Sequence, residues 1–456
     1  MEGRFVNILD QIQTIVIVMM ENRSFDHVLG HLSMAQYGNR KDIIGLINPE
    51  TNPDYTNFLD SQGYQPFHLK DGPLPSDLPH SRDLVAVQLA KKDGQFTMRG
   101  FVDAYYQQTK RKVDVHLPMG FHTPEDVPIS NFFANQYAVC DHWFAPIPTS
   151  TQPNRSVAYS GYALIDDTKA QMIPLVPGSF FFDWLSAHKV RWRNYHCGFS
   201  LFTLFDRLED VLGPNFRSFK DLSADWESES LAAAPEVIFI EPEYTDSPIH
   251  FEQIPNDNHP PTSIGPGEHF LRDIYTILTH NPTKWQRTLL IVTYDEHGGF
   301  FDHIPPLTIP TPVPPKALYS VGFESTGPRV PAFVISPWIP PSMVFKGVLD
   351  HTSILQLLSE KFAGTPDYNE EVKRRKDLGI QSVSQVLIQA GLAQPRADIP
   401  ASPQNTIFNA TVPVSVPTPQ TDNQRAFAAA AKRLLAHDYQ QAVKKFPGIT
   451  HLFEEM

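Results

Sequence analysis

Oxygen-bearing side chains that can share a cation stand at two distant places in this sequence, Glu21-Asn22 and Asp295-Glu296. Carboxylates and amides together suit hard divalent ions such as Ca²⁺, Mg²⁺ or Mn²⁺. Each pair follows directly on an apolar run, Thr14-Ile15-Val16-Ile17-Val18-Met19-Met20 in the first case and Leu289-Leu290-Ile291-Val292-Thr293-Tyr294 in the second. Runs of that length, β-branched and without polar alternation, predict strands buried on both faces, as in parallel sheets. Open α/β sheets gather their ligands outside the carboxyl ends of the strands. Both pairs are therefore expected at one shared metal site, with Ser24 capping a helix that follows the first.

The elements that must carry these tips can be read from the rest of the chain. Tyr137-Ala138-Val139-Cys140, Val237-Ile238-Phe239-Ile240 and Pro331 to Ile335 are further strand candidates. Helical spacing of apolar residues runs over Phe270 to Leu278 and Thr352 to Phe362. Alternating strands and helices predict a three-layer α/β sandwich around a mostly parallel sheet. Residues 1–399 are expected to form one domain, with a loop-rich, aromatic insertion near 30–118 lying over the strand tips. A Pro-rich linker from 400 to 419 then leads to an Ala-rich helix, Asp422 to His437, expected to pack on the core, so that 400–456 form a terminal appendage.

Composition narrows the partners. At 456 residues with 41% hydrophobic and 19% charged content the chain is globular material with a substantial core. A formal net charge of −13 argues against nucleic acid as a partner and against electrostatic docking on anionic membranes. Cys140 and Cys197 are the two cysteines; one bridge or two thiols are both open, and a zinc-thiolate cluster is excluded. The absence of a long apolar run predicts no transmembrane segment. The sequence as written reads as soluble and cytoplasmic, or as secreted or periplasmic if a leader has been removed. Neither the G-x-S-x-G elbow of serine hydrolases nor the H-E-x-x-H of zinc proteases occurs.

Three motifs in order, E-N-R-S-F-D from Glu21, T-x-P-N-R from Thr151 and D-E-x-G-G-F-x-D-H from Asp295, resemble the phosphoesterase family. That family holds bacterial and plant non-specific phospholipases C together with related acid phosphatases, and it belongs to the alkaline-phosphatase-like superfamily. Shorter echoes are Met119-Gly120-Phe121, Asp257-Asn258-His259-Pro260 and Gly327-Pro328-Arg329-Val330-Pro331, so the likeness spans most of the chain. The resemblance implies an alkaline-phosphatase-like fold and a divalent cation held by Glu21, Asn22, Asp295 and Glu296, with zinc joining Ca²⁺, Mg²⁺ and Mn²⁺ as candidates.

It also implies a nucleophile. Thr151 is the first residue of T-x-P-N-R, with Thr149 and Ser150 as neighbouring rivals; a threonine hydroxyl needs a metal or a base to activate it. Asn154 would orient the site, and Arg155 either holds phosphate oxygens or serves as a structural salt-bridge partner. Proton traffic falls to histidine. His259 matches a D-x-H-P element and His303 closes the third motif, while His80 and His196 correspond by approximate spacing to histidines of acid-phosphatase members, a structural role being equally open for both. His297 reads as a supporting residue beside the metal pair.

The expected activity is phospholipase C chemistry through a phospho-threonine, releasing diacylglycerol and a phosphorylated headgroup. An acid phosphatase acting on small phosphomonoesters is the alternative, and a silent lipid- or phosphate-binding protein the third reading. The aromatic residues Phe96, Phe101, Tyr105, Tyr106 and Phe180 to Phe182 form either an apolar approach for lipid or ordinary core.

Overall fold

A computed structural model describes residues 8–110, 112–250, 254–390, 394–404 and 418–454. Eight strands form the central sheet: β1 Thr14–Met20, β2 Ala138–Cys140, β3 Trp192–His196, β4 Phe216–Ser218, β5 Val237–Glu241, β6 Thr288–Tyr294, β7 Ala332–Ile335 and β8 Met343–Phe345. Their spatial order is β4-β3-β5-β1-β6-β7-β2-β8. β7 runs against both its neighbours and the other pairings are parallel, so one strand opposes seven. The two apolar runs are adjacent central strands, every residue of each buried. Their register pairs Met20 with Tyr294, which brings Glu21 level with Asp295.

The helices that matter here are α1 Phe25–Leu29, α2 Arg82–Leu89, α3 Phe101–Thr109, α4 Pro128–Gln136, α5 Thr151–Ser160, α6 Gly265–His280, α7 Thr352–Ala363 and α8 Asp422–His437. They cover both faces. Register places Phe239, Ile17, Ile291 and Val334 on one face, and Tyr159 of α5 packs on it, its ring 5.5 Å from that of Phe239. Phe333 points the other way, where Phe133 of α4 meets it at 5.8 Å and Tyr275 of α6 lies against Phe133. This is the expected three-layer sandwich. Strands β3, β4 and β8 were not foreseen: β3 carries Arg193, Asn194 and His196 among its apolar residues, and β4 and β8 are only three residues long.

Residues of the 30–118 stretch have an apolar cluster of their own, with Met34, Leu46, Val85, Leu89 and Phe101 packed against Phe301. The aromatic residues divide. Phe180, Phe181 and Phe182 are buried in the main core, and Phe101 and Tyr105 are buried as well. From α8, Phe427, Ala430, Ala431 and Leu434 join the main core. Most of the Pro-rich stretch 400–419 falls outside the described residues. Cys140 and Cys197 form no disulfide. Among the described residues no helix is long and apolar enough to cross a membrane.

Candidate active site

α5 has a polar sequence, TQPNRSVAYS, yet all ten of its residues are buried. Polar groups survive such burial only when each finds a partner, and the partners here are the strand tips. Arg155 lies fully buried beneath them. Its Nη2 bonds Glu21 Oε1 at 3.0 Å and its Nε bonds Asp295 Oδ2 at 3.1 Å, with Nη1 held by the Tyr159 hydroxyl at 2.8 Å. Asn154 is equally buried and clamps the turn before the helix. It accepts from the Ile147 amide and donates to the carbonyls of Thr149 and Ser150.

The three neighbouring hydroxyl groups differ in their partners. Thr149 Oγ1 is spent on Asp166 O at 2.7 Å, and Ser150 Oγ on the Asp167 carboxylate. Thr151 opens the helix, where unpaired N–H groups and the helix dipole favour negative charge. Its Oγ1 donates to Asn22 Oδ1 at 3.3 Å. Asn22 itself has φ +59°, a left-handed conformation that asparagine tolerates better than most residues. Its amide donates to Asp295 Oδ1 at 3.1 Å. The two motif loops approach so closely that a Cβ on Gly298 would sit 2.0 Å from Asn22 O, so only glycine fits there.

Across from Thr151, His80 and His259 line the same cleft of about 400 Å³, together with Asp77, Asp246 and Asp167. The two imidazoles meet edge to face with ring centres 5.8 Å apart. Burial works against a charge on His259, but Asp77, Asp246, Glu21 and Asp257 carry its pKa up to about 10. His80 is likewise raised by Asp77 and Glu296 against the cost of burial. The loop bearing His259 is fixed by Arg23, which donates to Asn258 O and Thr262 O.

The remaining expected site residues have these partners. Arg155 spends its donors on the Glu21 and Asp295 carboxylates, the Tyr159 hydroxyl and the carbonyls of Met19 and Met20, the salt-bridge arrangement that was one of its two expected roles. Asn154 spends its donors on the turn before Thr151. His196 ends β3, where its ring bonds Gly198 O and packs on Phe446; burial lowers its pKa to about 4, and it does not line the cleft. His303 bonds Asp26 Oδ2 at 2.6 Å. There Asp26 and Asp302 are already bridged by the buried Arg329 guanidinium, an ion-pair lock between α1 and the third motif. His297 stands beside Glu296, 3.1 Å from its Oε2, and is bonded to Gln88.

The donors suit a hard cation. Among the described residues Glu21 Oε2 and Glu296 Oε1 are buried with no hydrogen-bond partner, and Arg155 is the one cation in a salt bridge with Glu21 and Asp295. Burial foremost, then the neighbouring Asp295, holds Glu21 well above the usual carboxylate range despite Arg155. Such crowded negative charge is relieved by a bound divalent ion. Three ligand atoms within 4.8 Å of one another are offered by Asp77, His80 and His259, a second place where a cation or a shared proton fits.

Asp77, Asp246 and Asn423 are cleft residues the sequence reading missed. Asp246 had a signal of the kind that found the others: it lies in the acidic loop after an apolar strand, β5. Asp77 and Asn423 had none, being polar residues in polar stretches.

Residues 12–363 match the phosphoesterase family. Non-specific phospholipase C1 of Arabidopsis thaliana is 32% identical over 345 residues, 73% of this chain and 62% of that protein. Phospholipase C B of Mycobacterium tuberculosis is 26% identical over 471 residues, 91% of this chain and 88% of that one. The chain spans a little under two thirds of the length of two plant relatives, 62% of C1 and 64% of C3. A solved member of the alkaline phosphatase superfamily from Vibrio parahaemolyticus aligns at 14% identity and a TM-score of 0.32, covering 54% of this chain and 64% of its own. With its strand tips, its Thr151 helix and most of its length inside the matched region, the chain belongs to the phosphoesterase family.

Proposed function

We propose that this protein is a metal-dependent phosphoesterase of phospholipase C type with Thr151 as its nucleophile. The observation that carries the reading is the Thr151 hydroxyl at the start of α5, bonded to Asn22 at 3.3 Å, with Thr151, His80 and His259 lining one cleft. The phospholipase C names of the relatives support the same choice.

In the first step the Thr151 hydroxyl releases its proton to solvent and a bond forms between Oγ1 and phosphorus while the bond from phosphorus to the glycerol oxygen breaks. His259, protonated at neutral pH, gives its proton to the departing alkoxide. Water then attacks the phospho-threonine from the vacated side and gives a proton to the imidazole; the bond from phosphorus to Oγ1 breaks, the threonine oxygen regains a proton from solvent, and the phosphorylated headgroup leaves. A divalent ion held by Glu21, Asn22, Asp295 and Glu296 would supply positive charge for the threonine oxygen and the phosphoryl oxygens. Arg155 keeps the carboxylates of Glu21 and Asp295 in place, and Asn154 holds the turn that aims Thr151.

A lipid is favoured by a second hollow of about 360 Å³ lined by Leu89, Phe96, Val321 and Phe323. Arg82, Lys91 and Glu324 stand among these apolar residues, and two segments serve both places: Ser81 and Ser150 line the cleft, Arg82 and Pro148 the hollow. The polar cleft by itself suits a small phosphomonoester, which keeps the acid phosphatase as the second reading. Phosphorus-31 NMR on dispersed phosphatidylcholine plus an aryl phosphomonoester, with and without chelator, separates them. Chelator-sensitive phosphocholine is expected; inorganic phosphate from the aryl ester alone assigns the phosphatase, and silence on both overturns the enzyme reading.

A further inference from the structure

The cleft is not built only from the region matched to the family. Thr421, Asp422, Asn423 and Arg425, at the start of α8, line it beside Thr151 and His259, and they stand beyond residue 363, where the family match ends. A capping box between Thr421 and Gln424 sets the start of the helix. Phe427, one turn on, packs against Phe199 and Tyr244, and Tyr244 lies over the Arg155 guanidinium. The helix is thus seated on the floor of the site.

Asn423 is the residue through which it touches the chemistry. It is buried, and its amide works in both directions. Oδ1 accepts from Gln152 Nε2 at 3.0 Å, and Nδ2 donates to Asp246 Oδ2 at 2.8 Å. Gln152 directly follows the nucleophile and is itself bonded to both the amide and the carbonyl of Lys169. Asp246, buried at the cleft wall, is among the carboxylates that face His259. A primary amide can accept from one partner and donate to a carboxylate from the same position.

On the reading that Thr151 and His259 perform the reaction, we propose that Asn423 is a positioning residue. It ties the nucleophile's helix to the Asp246 carboxylate, so that the active cleft is complete only with α8 docked. A residue that merely anchored the helix would need neither bond, because Phe427 and the alanines already bury that face. Alanine at 423 loses both bonds. Aspartate keeps the acceptor but sets a second carboxylate against Asp246, which costs more than absence.

The test is a double-mutant cycle on the full chain, with Asn423→Ala, Asn423→Asp, Asp246→Asn and the pair Asn423→Ala/Asp246→Asn, assayed on phosphatidylcholine below each variant's melting temperature. Asn423→Ala is expected to lower kcat about tenfold and KM by less than about twofold, with Asn423→Asp worse than Asn423→Ala. In the Asp246→Asn background the alanine change is expected to cost less than about twofold, the signature of coupling. Equal costs in both backgrounds, or a normal kcat with only a lowered melting temperature, overturn the proposal. A readout independent of turnover is the ring-proton NMR signal of His259, identified with His259→Gln; it is expected to move in Asn423→Ala. If the wild type cleaves no phosphoester, the reading of function fails, and the position of that signal alone decides the role of Asn423.

Discussion

The Thr151 hydroxyl donates to the Asn22 amide oxygen at 3.3 Å, across 129 positions of sequence. It joins the start of a helix to the tip of the central strand, and the proposed chemistry sits at that junction. Thr151→Ala removes the hydroxyl and little else, since the helix start is held by Asn154. Turnover of any phosphoester is expected to fall on the order of a thousandfold or more, with the urea midpoint nearly unchanged and Thr151→Ser partly active. Wild-type rates from the alanine variant would move the nucleophile elsewhere.

Arg155 spans Glu21 and Asp295 with both carboxylates fully buried. Taking away the guanidinium leaves two uncompensated buried charges, so Arg155→Met is expected to cost about 3–5 kcal/mol of stability, read from urea denaturation. Adding Mg²⁺ or Ca²⁺ is expected to recover part of it. A loss below about 1 kcal/mol would mean that water reaches the pair.

Divalent cations are expected to raise the melting temperature of the wild type by a few degrees, increasingly with concentration, because they bind only the folded arrangement of ligands. In Asp295→Asn and Glu296→Gln that rise is expected to shrink. Scanning calorimetry with and without a chelator reads it, and equal rises in all three proteins would place the ion elsewhere.

Glu268 on α6 gives a pH dependence away from the site. Burial raises its pKa to about 7 from an ordinary value near 4.5, against hydrogen bonds from Ser130 and Ile129. The folded state therefore binds this proton more tightly than the unfolded state does. Its stabilising contribution is whole below about pH 4.5 and is lost as pH rises through about 7, to the extent of about 3 kcal/mol. Glu268→Gln, which cannot ionise, is expected to flatten that part of the stability profile, as measured by urea midpoints from pH 4.5 to 7.5. An unchanged slope would show that Glu268 stays ionised.

Local pattern determined much of this protein. The two apolar runs had to be buried strands, because no other element buries seven consecutive β-branched and apolar side chains so readily, and their acidic tips followed. Helical spacing over Phe270 to Leu278 and Thr352 to Phe362, and the Ala-rich pattern from Asp422 to His437, marked helices that the structure shows as Gly265–His280, Thr352–Ala363 and Asp422–His437. The tertiary structure decided what each polar side chain faces. Arg155 and His303 stand in motifs beside expected ligands, but one lies under the carboxylates and the other in the lock with Asp26. His196 lies two strands away from β1, and Asp77, Asp246 and Asn423 enter from segments with no motif. A side chain's partners depend on which strands neighbour each other and how loops cross the sheet edge. Those are long-range choices that no local spacing of residues encodes.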